Sequence, residues 1–324
     1  MKAMIWTKYG PPDVLQYREI EKPVLKDHEV LVRIRAAAAT MGDCEMRKLN
    51  FPLMVRLPLW LYIGIRKPKR VTILGGYFAG EIEAVGKDVK QLNVGDQVFG
   101  FSGLKLSAYA EYICLPEEGA VITKPANMTF EEAAPVSLGG LEAFHFLRKA
   151  NIQPGQKVLI NGAGGSIGTF SVQLAKYFGA EVTAVDSTEK IDMLRSIGAD
   201  HVIDYTKEDF SQNGQKYDVI LDVVLKSSFS KIINSLKENG IYLLTNPTFI
   251  KMVRAAWVSN KTTKKVIFEF TSPNTQDLAS LRELIEAGKI KSVIDRIYPL
   301  EQAVEAHRYI ETGQKRGDVV LTIK

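Results

Sequence analysis

The chain has 324 residues, 46% apolar and 24% charged, enough for about two folded domains and too apolar for a disordered chain. Its only cysteines, Cys44 and Cys114, exclude a disulfide scaffold, and with no signal-like start in Met1–Ile20 a cytoplasmic location is expected. No stretch reaches the ~20 apolar residues of a membrane span, and a net charge of +5 is too small to point to nucleic acid.

In chain order, the first third reads as β. Met1–Trp6 and Val14–Ile20 flank the turn-forming Tyr9-Gly10-Pro11-Pro12-Asp13, and Val30–Arg35 partly alternates as a half-buried strand does. Gly80–Val85, Gln97–Phe101 and Ala108–Leu115 follow, with Val94-Gly95-Asp96 as a turn. Many short strands with glycine turns suggest a barrel-like or sandwich-like domain. Between them, Met46–Gly80 carries seven basic residues and no acid. Within it, Phe51–Ile65 is strongly apolar and leads into Arg66-Lys67-Pro68-Lys69-Arg70. A loop or helix packed on the core, an apolar lid over a substrate, and a membrane-surface contact through 51–70 are all compatible with that composition.

After about Pro125, strand-length runs recur with helical patterns between them. Strands are predicted at Lys157–Asn161, Glu181–Val185, His201–Tyr205, Tyr217–Val224, Gly240–Thr245 and Lys265–Phe270. Helices are predicted at Ser166–Phe178, Glu189–Ile197, Phe229–Lys237 and Asp277–Ala287. That alternation predicts a doubly wound parallel sheet. The tail returns to strand–helix–strand (Ile294–Tyr298, Glu301–Glu311, Val319–Ile323) and is expected to complete the first domain.

One turn carries chemistry. Lys157–Asn161 runs into Gly162-Ala163-Gly164-Gly165-Ser166-Ile167-Gly168 and then a helix. A pyrophosphate needs backbone N–H groups and a helix N-terminus at close approach, which side chains would obstruct. A strand before, a helix after and an acid ending the next strand complete the dinucleotide fingerprint. The acid is Asp186, suited to the ribose hydroxyls of NADH. Ser187, Thr188 and Lys190 offer hydroxyls and a cation to a 2′-phosphate, although a solvated helix lysine is the plainer reading of Lys190. Metal ligation has little support: the four histidines are scattered, and neither CxxC nor HExxH occurs. Cys44 and Cys114 read as small apolar residues, with no histidine near either in sequence.

These motifs resemble a zinc-free medium-chain dehydrogenase/reductase of the quinone oxidoreductase (zeta-crystallin-like) type. The resemblance rests on Lys8–Pro12 with Val14-Leu15, Leu74-Gly75 with Phe78–Gly86, Val94–Gly100 and Ala108–Tyr112. It continues through Pro154–Ile160 and Gly198–Tyr205, and covers nearly the whole chain. It implies a GroES-like β-barrel-type catalytic domain (1–125 and 271–324) around a Rossmann domain with a six-stranded parallel sheet (126–270), the active site lying between them. It implies NADPH as the cofactor, with NADH kept open by Asp186, and reduction of quinones or α,β-unsaturated carbonyls. Zinc-dependent cousins carry cysteine where Thr40 stands and histidine where Gly76 stands, so no zinc is expected.

The candidate catalytic hydroxyls are Thr40, Tyr62 and Tyr77. Tyr205, Asn246 and Glu142 join the glycine loop as cofactor candidates, Glu142 standing where the family has threonine. The implied substrate is a small apolar carbonyl or quinone, and a homodimer paired through the last strand is expected. An enoyl-thioester reductase is the alternative enzyme. A low-turnover NAD(P)H-binding protein that binds RNA or a membrane surface is the alternative of another class.

Overall fold

The computed structural model describes residues 1–224, 227–245, 247–269 and 274–324. The chain divides into two compact units, Met1–Leu138 with Pro273–Glu286 and Ser292–Lys324, and Gly139–Ser272 with Ala287–Lys291.

In the first unit, β1 (Lys2–Trp6) pairs with β2 (Leu15–Glu19) across the predicted proline–glycine turn. β3 (Glu29–Ala39) is longer than the alternation indicated, because Ala36–Ala39 continue it as a buried run of small residues. Two helices follow, α1 (Met41–Lys48) and α2 (Leu53–Ile63). Next come β4 (Tyr77–Val85), β5 (Gln97–Phe101), β6 (Tyr112–Pro116), β7 (Ala120–Thr123) and the single turn α3 (Phe130–Ala133). Of the expected strand Ala108–Leu115, only the second half pairs as a strand, with β3; Ala110 makes an isolated bridge to Ala3.

The second unit begins with α4 (Leu141–Ala150), then β8 (Lys157–Asn161), α5 (Ser166–Tyr177), β9 (Glu181–Asp186), α6 (Ile191–Ser196) and β10 (His201–Asp204). It continues with β11 (Tyr217–Asp222), α7 (Phe229–Ser235), β12 (Leu236–Leu244), α8 (Phe249–Lys261) and β13 (Lys265–Ile267). The chain then passes through α9 (Thr275–Glu286), β14 (Ile294–Pro299), α10 (Ala303–Glu311) and β15 (Asp318–Thr322). β15 pairs antiparallel with β3, so the tail closes the first unit's sheet.

Among the described residues the sheet of the second unit has six parallel strands in the order β10-β9-β8-β11-β12-β13. Strand order reverses between β8 and β11, which leaves a crevice at their carboxyl ends, the place where open α/β sheets bind ligands. Those strands are buried on both faces, Val158, Leu159 and Ile160 at 0% exposure, which explains why they read as continuous apolar runs. The sheet of the first unit is antiparallel apart from the β14–β15 pair, and its buried face holds Trp6, Val32, Ile34, Phe78, Ile82 and Val98. The predicted end of the last strand at Phe270, and Asn246, lie outside the described residues.

Candidate functional site

β8 ends at Asn161, and the chain turns at Gly162 with φ +86°. The N–H groups of Gly162 and Ala163 donate to Val185 O at 3.0 and 3.1 Å, which ties the turn to the end of β9. α5 then starts at Ser166 with Gly165 at its cap and no side chain capping it. The first-turn N–H groups of a helix have no intrahelical partner, and here Gly165, Ser166 and Ile167 are partly exposed. Gly168 is the tightest position. A Cβ there would lie 2.4 Å from Gly162 O and 2.5 Å from Ala163 C, so only glycine lets the helix lie on the turn.

Asp186 ends β9 beside this turn, almost buried. Its carboxylate accepts from the N–H of Gly164 at 2.7 Å and of Ser187 at 2.9 Å, and the Lys190 ammonium lies 2.9 Å away. Lys190 is therefore no solvated helix residue: it is 8% exposed, and its stem covers Gly164. Thr188 is exposed and hydrogen-bonds Asp204, whose carboxyl is held well below its ordinary range by the Thr188 and Thr206 hydroxyls. Tyr205 follows, its N–H donating to Asp186 O at 3.1 Å and its ring exposed. The structure thus brings Gly162 to Gly168, Asp186, Ser187, Thr188, Lys190 and Tyr205 to one end of the parallel sheet. Glu142 stands in the first turn of α4, half-buried. The residues fit a nucleotide diphosphate: a cradle that side chains would fill, a helix N-terminus with no side-chain cap, and an acid and a cation beside it.

The candidate hydroxyls belong to the first unit. Thr40 follows β3, and Tyr77 begins β4; because these strands are antiparallel, both stand at one end of the sheet. Thr40 caps α1, its Oγ1 accepting from Asp43 N at 3.0 Å and donating to Asp43 Oδ2 at 2.6 Å. Its single hydroxyl proton is therefore held inside the fold. Tyr77 is half-buried with its ring stacked on Phe101, centroids 5.0 Å apart. Tyr62 packs in α2 under the Arg70 guanidinium, 4.3 Å from the ring centre.

Asp43 opens a buried network that the sequence concealed. Gly75 N donates to its Oδ1 at 3.1 Å, and burial raises its pKa against the hydrogen bonds that lower it. Arg47, one of the seven basic residues in Met46–Gly80, is fully buried. It donates to Gly10 O at 3.0 Å and to His307 Nδ1 at 2.8 Å, and pairs with Glu311. With Nδ1 accepting, His307 carries its proton on Nε2, 3.3 Å from the Tyr109 hydroxyl. Tyr109 in turn hydrogen-bonds Asp43. Cys44 lies 3.4 Å from His307 despite their separation in sequence, but burial pushes its thiol up to about 12, so no thiolate forms at neutral pH.

Burial, then the charges of Arg47 and Lys48, bring the His307 pKa down to about 3 from 6.5. Between these values the unfolded chain binds the extra proton. The contribution is complete above about pH 6.5 and is lost progressively as the pH falls toward 3. Melting temperatures should therefore decline below about pH 6.5, and His307→Gln should flatten that part of the profile. An equally steep decline in the variant would contradict this assignment.

At the positions where zinc-dependent cousins carry ligands, this chain has Thr40 and Gly76. A Cβ at Gly76 would already lie 2.9 Å from the Phe101 ring, and Thr40 has its hydroxyl engaged. Among the described residues no group of three or more His, Cys, Asp or Glu side chains could hold a metal.

A doubly wound sheet with a glycine turn opening its first helix defines a dinucleotide-binding class of proteins. Residues 26–126 match the alcohol dehydrogenase GroES-like domain, and residues 197–321 match a model described as zinc-binding dehydrogenase. The chain is 36% identical to a 2-methylene-furan-3-one reductase of Solanum lycopersicum, over 99% of its own length and 79% of that protein. It is 34% identical, with the same coverage, to a chloroplastic NADPH-dependent alkenal/one oxidoreductase of Arabidopsis thaliana. A quinone oxidoreductase structure from Coxiella burnetii superposes with a TM-score of 0.89 at 29% identity, covering 100% of this chain and 99% of that one. The chain belongs to the medium-chain dehydrogenase/reductase superfamily of NAD(P)H-dependent oxidoreductases.

Proposed function

We propose that this protein is a zinc-independent reductase that uses NADPH to reduce quinones or the carbon–carbon double bond of α,β-unsaturated carbonyls. The observation that carries this reading is the turn from β8 to α5, where Gly168 lets the helix lie against the glycine turn and Asp186 with Lys190 stands beside Gly164. The names of the relatives, an enone reductase and an alkenal/one oxidoreductase, agree with it.

Bound at that turn, the reduced nicotinamide supplies a hydride. The chain's own residues do the rest. The first-turn N–H groups of α5 hold the diphosphate. A quinone or enone is already an activated acceptor, so orientation of the two reactants can account for much of the rate. Charge develops on the substrate oxygen, where a hydroxyl donor stabilises it. Tyr77 is the candidate donor carried forward; the Thr40 proton is committed to Asp43 and the Tyr62 ring is covered by Arg70. Protonation by water completes the reduction.

NADPH is favoured by Lys190. Its ammonium balances Asp186, which removes the repulsion a lone carboxylate would exert on a 2′-phosphate. Lys190→Ala should weaken NADPH binding by about tenfold or more, the scale of one charge-assisted contact, and leave NADH binding within a few-fold. Equal losses for both coenzymes would contradict the assignment. A homodimer paired through the outer edge of β13 belongs to the same reading, and light scattering tests it.

The test of the function is oxidation of NADPH with a small quinone and a small enone after treatment with a chelator. Turnover that survives chelation is expected. Activity abolished by the chelator and restored by zinc would contradict it.

A further inference from the structure

A helix that is apolar on all sides is ordinarily buried. α2 is not. Its sequence is Leu-Met-Val-Arg-Leu-Pro-Leu-Trp-Leu-Tyr-Ile, and Leu53, Met54 and Leu61 are 66%, 74% and 65% exposed. Only its last turn is anchored. Ile63 is buried, Tyr9 Oη donates to Gly64 O at 2.6 Å, and the N–H groups of Lys69 and Arg70 donate to Ile63 O. The anchored end runs straight into exposed Arg66, Lys67, Lys69 and Arg70. Among the described residues no carboxylate lies within ion-pairing distance of these four.

α8 in the other unit repeats the combination. Thr248 caps it, and Ala255 and Val258 form its buried side. Phe249, Ile250, Val253 and Trp257 are 56–66% exposed and share one face at helical spacing. Exposed Arg254, Lys261 and Lys265 accompany them, and Thr248–Phe268 contains five cations and no acid.

We propose that α2 and α8 each seat their own unit against the surface of an anionic lipid bilayer, each helix acting independently of the other. Apolar side chains beside cations match the acyl and headgroup layers of such a surface, and tryptophan favours that boundary. RNA would use the cations and leave the leucines in water. A second copy laid helix face on helix face would bring two basic, acid-free surfaces together, which Coulomb repulsion opposes, whereas a strand pairing at the β13 edge does not cover these helix faces. With 11 and 13 residues the helices measure roughly 17 and 20 Å, too short for a bilayer core of about 30 Å, and no helix among the described residues is long and apolar enough to cross. The contact is therefore peripheral. It is independent of the coenzyme reading, since its test requires no turnover.

The chain has three tryptophans. Trp6 is 1% exposed, so Trp60 and Trp257 report one helix each. The full chain is sedimented with vesicles of phosphatidylcholine alone and with added phosphatidylserine. Binding at least about tenfold tighter to the anionic vesicles, lost at high salt, is expected. Trp257→Phe leaves Trp60 as reporter and Trp60→Phe leaves Trp257; emission of each should shift to the blue on the anionic vesicles. A shift from only one overturns the role of the other helix. Leu57→Glu with Leu61→Glu, or Ile250→Glu with Val253→Glu, should cut binding about tenfold while melting temperature holds. No sedimentation at low salt, equal recovery on neutral vesicles, or self-association that masks both tryptophans without lipid would overturn the proposal.

Discussion

Gly168→Ala is expected to lower affinity for reduced coenzyme by about 10- to 100-fold, the cost of roughly 1–3 kcal/mol for forcing one extra carbon into a filled site. Its Cβ would lie 2.4–2.5 Å from the backbone of Gly162 and Ala163. No side-chain rotation relieves that overlap, so either the turn moves away from the helix or α5 shifts along its axis. In both cases the N–H groups no longer converge on one diphosphate. Gly165→Ala is the useful contrast, because its Cβ would meet only Gly162 O at 3.8 Å. Titration of both variants with NADPH by fluorescence separates a damaged turn from an obstructed approach. Unchanged affinity in Gly168→Ala would contradict the placement of the coenzyme.

Arg47→Met is expected to be among the most destabilising single changes outside that turn. The side chain has no solvent exposure and holds Gly10 O, His307 Nδ1 and Glu311 together. Removing one member of a buried charge pair typically costs about 3–5 kcal/mol, and because Glu311 keeps some exposure the lower end applies. Several degrees of melting temperature should be lost. Exposed Arg66→Met should stay within about 0.5 kcal/mol. Denaturant melts of the two variants make the comparison, and equal stabilities would contradict the network.

The contrast between these two arginines explains what sequence can reveal. Both lie in one basic segment, and composition treats them alike. Two of the partners of Arg47, His307 and Glu311, lie more than 250 residues away in α10, so only the tertiary fold distinguishes a buried cation from a solvated one. The glycine turn was legible for the opposite reason: strand, turn, helix and Asp186 are close in sequence, and each is required by the shape of a diphosphate. Lys190 falls between the two cases. Its position suggests a phosphate contact and its pairing with Asp186 is local, but its burial over Gly164 depends on β9 lying beside β8.

Other elements were hidden by ambiguous patterns. Phe51–Ile65 was open to three readings because apolar content says nothing about where a helix is placed. The structure shows a helix with most of its side chains in solvent, so a fully packed core segment is ruled out. α8 escaped notice because its exposed stripe is apolar and its cations break the usual polar face. β3 was underestimated because an alanine run carries little β preference, while burial between β15 and β4 extends the strand. Tyr77 came to notice through the resemblance, and only the antiparallel register of β3 and β4 places it at the same sheet end as Thr40.

The central claim is that hydride passes directly from a coenzyme seated on α5 to an activated acceptor, with no metal taking part. It is tested most directly by NADPH carrying deuterium in both positions at the nicotinamide C4, supplied to chelator-treated protein with a small enone. Mass spectrometry should find one deuterium per product molecule, on the carbon β to the carbonyl. A product free of deuterium, or one formed only after zinc is added back, would contradict it.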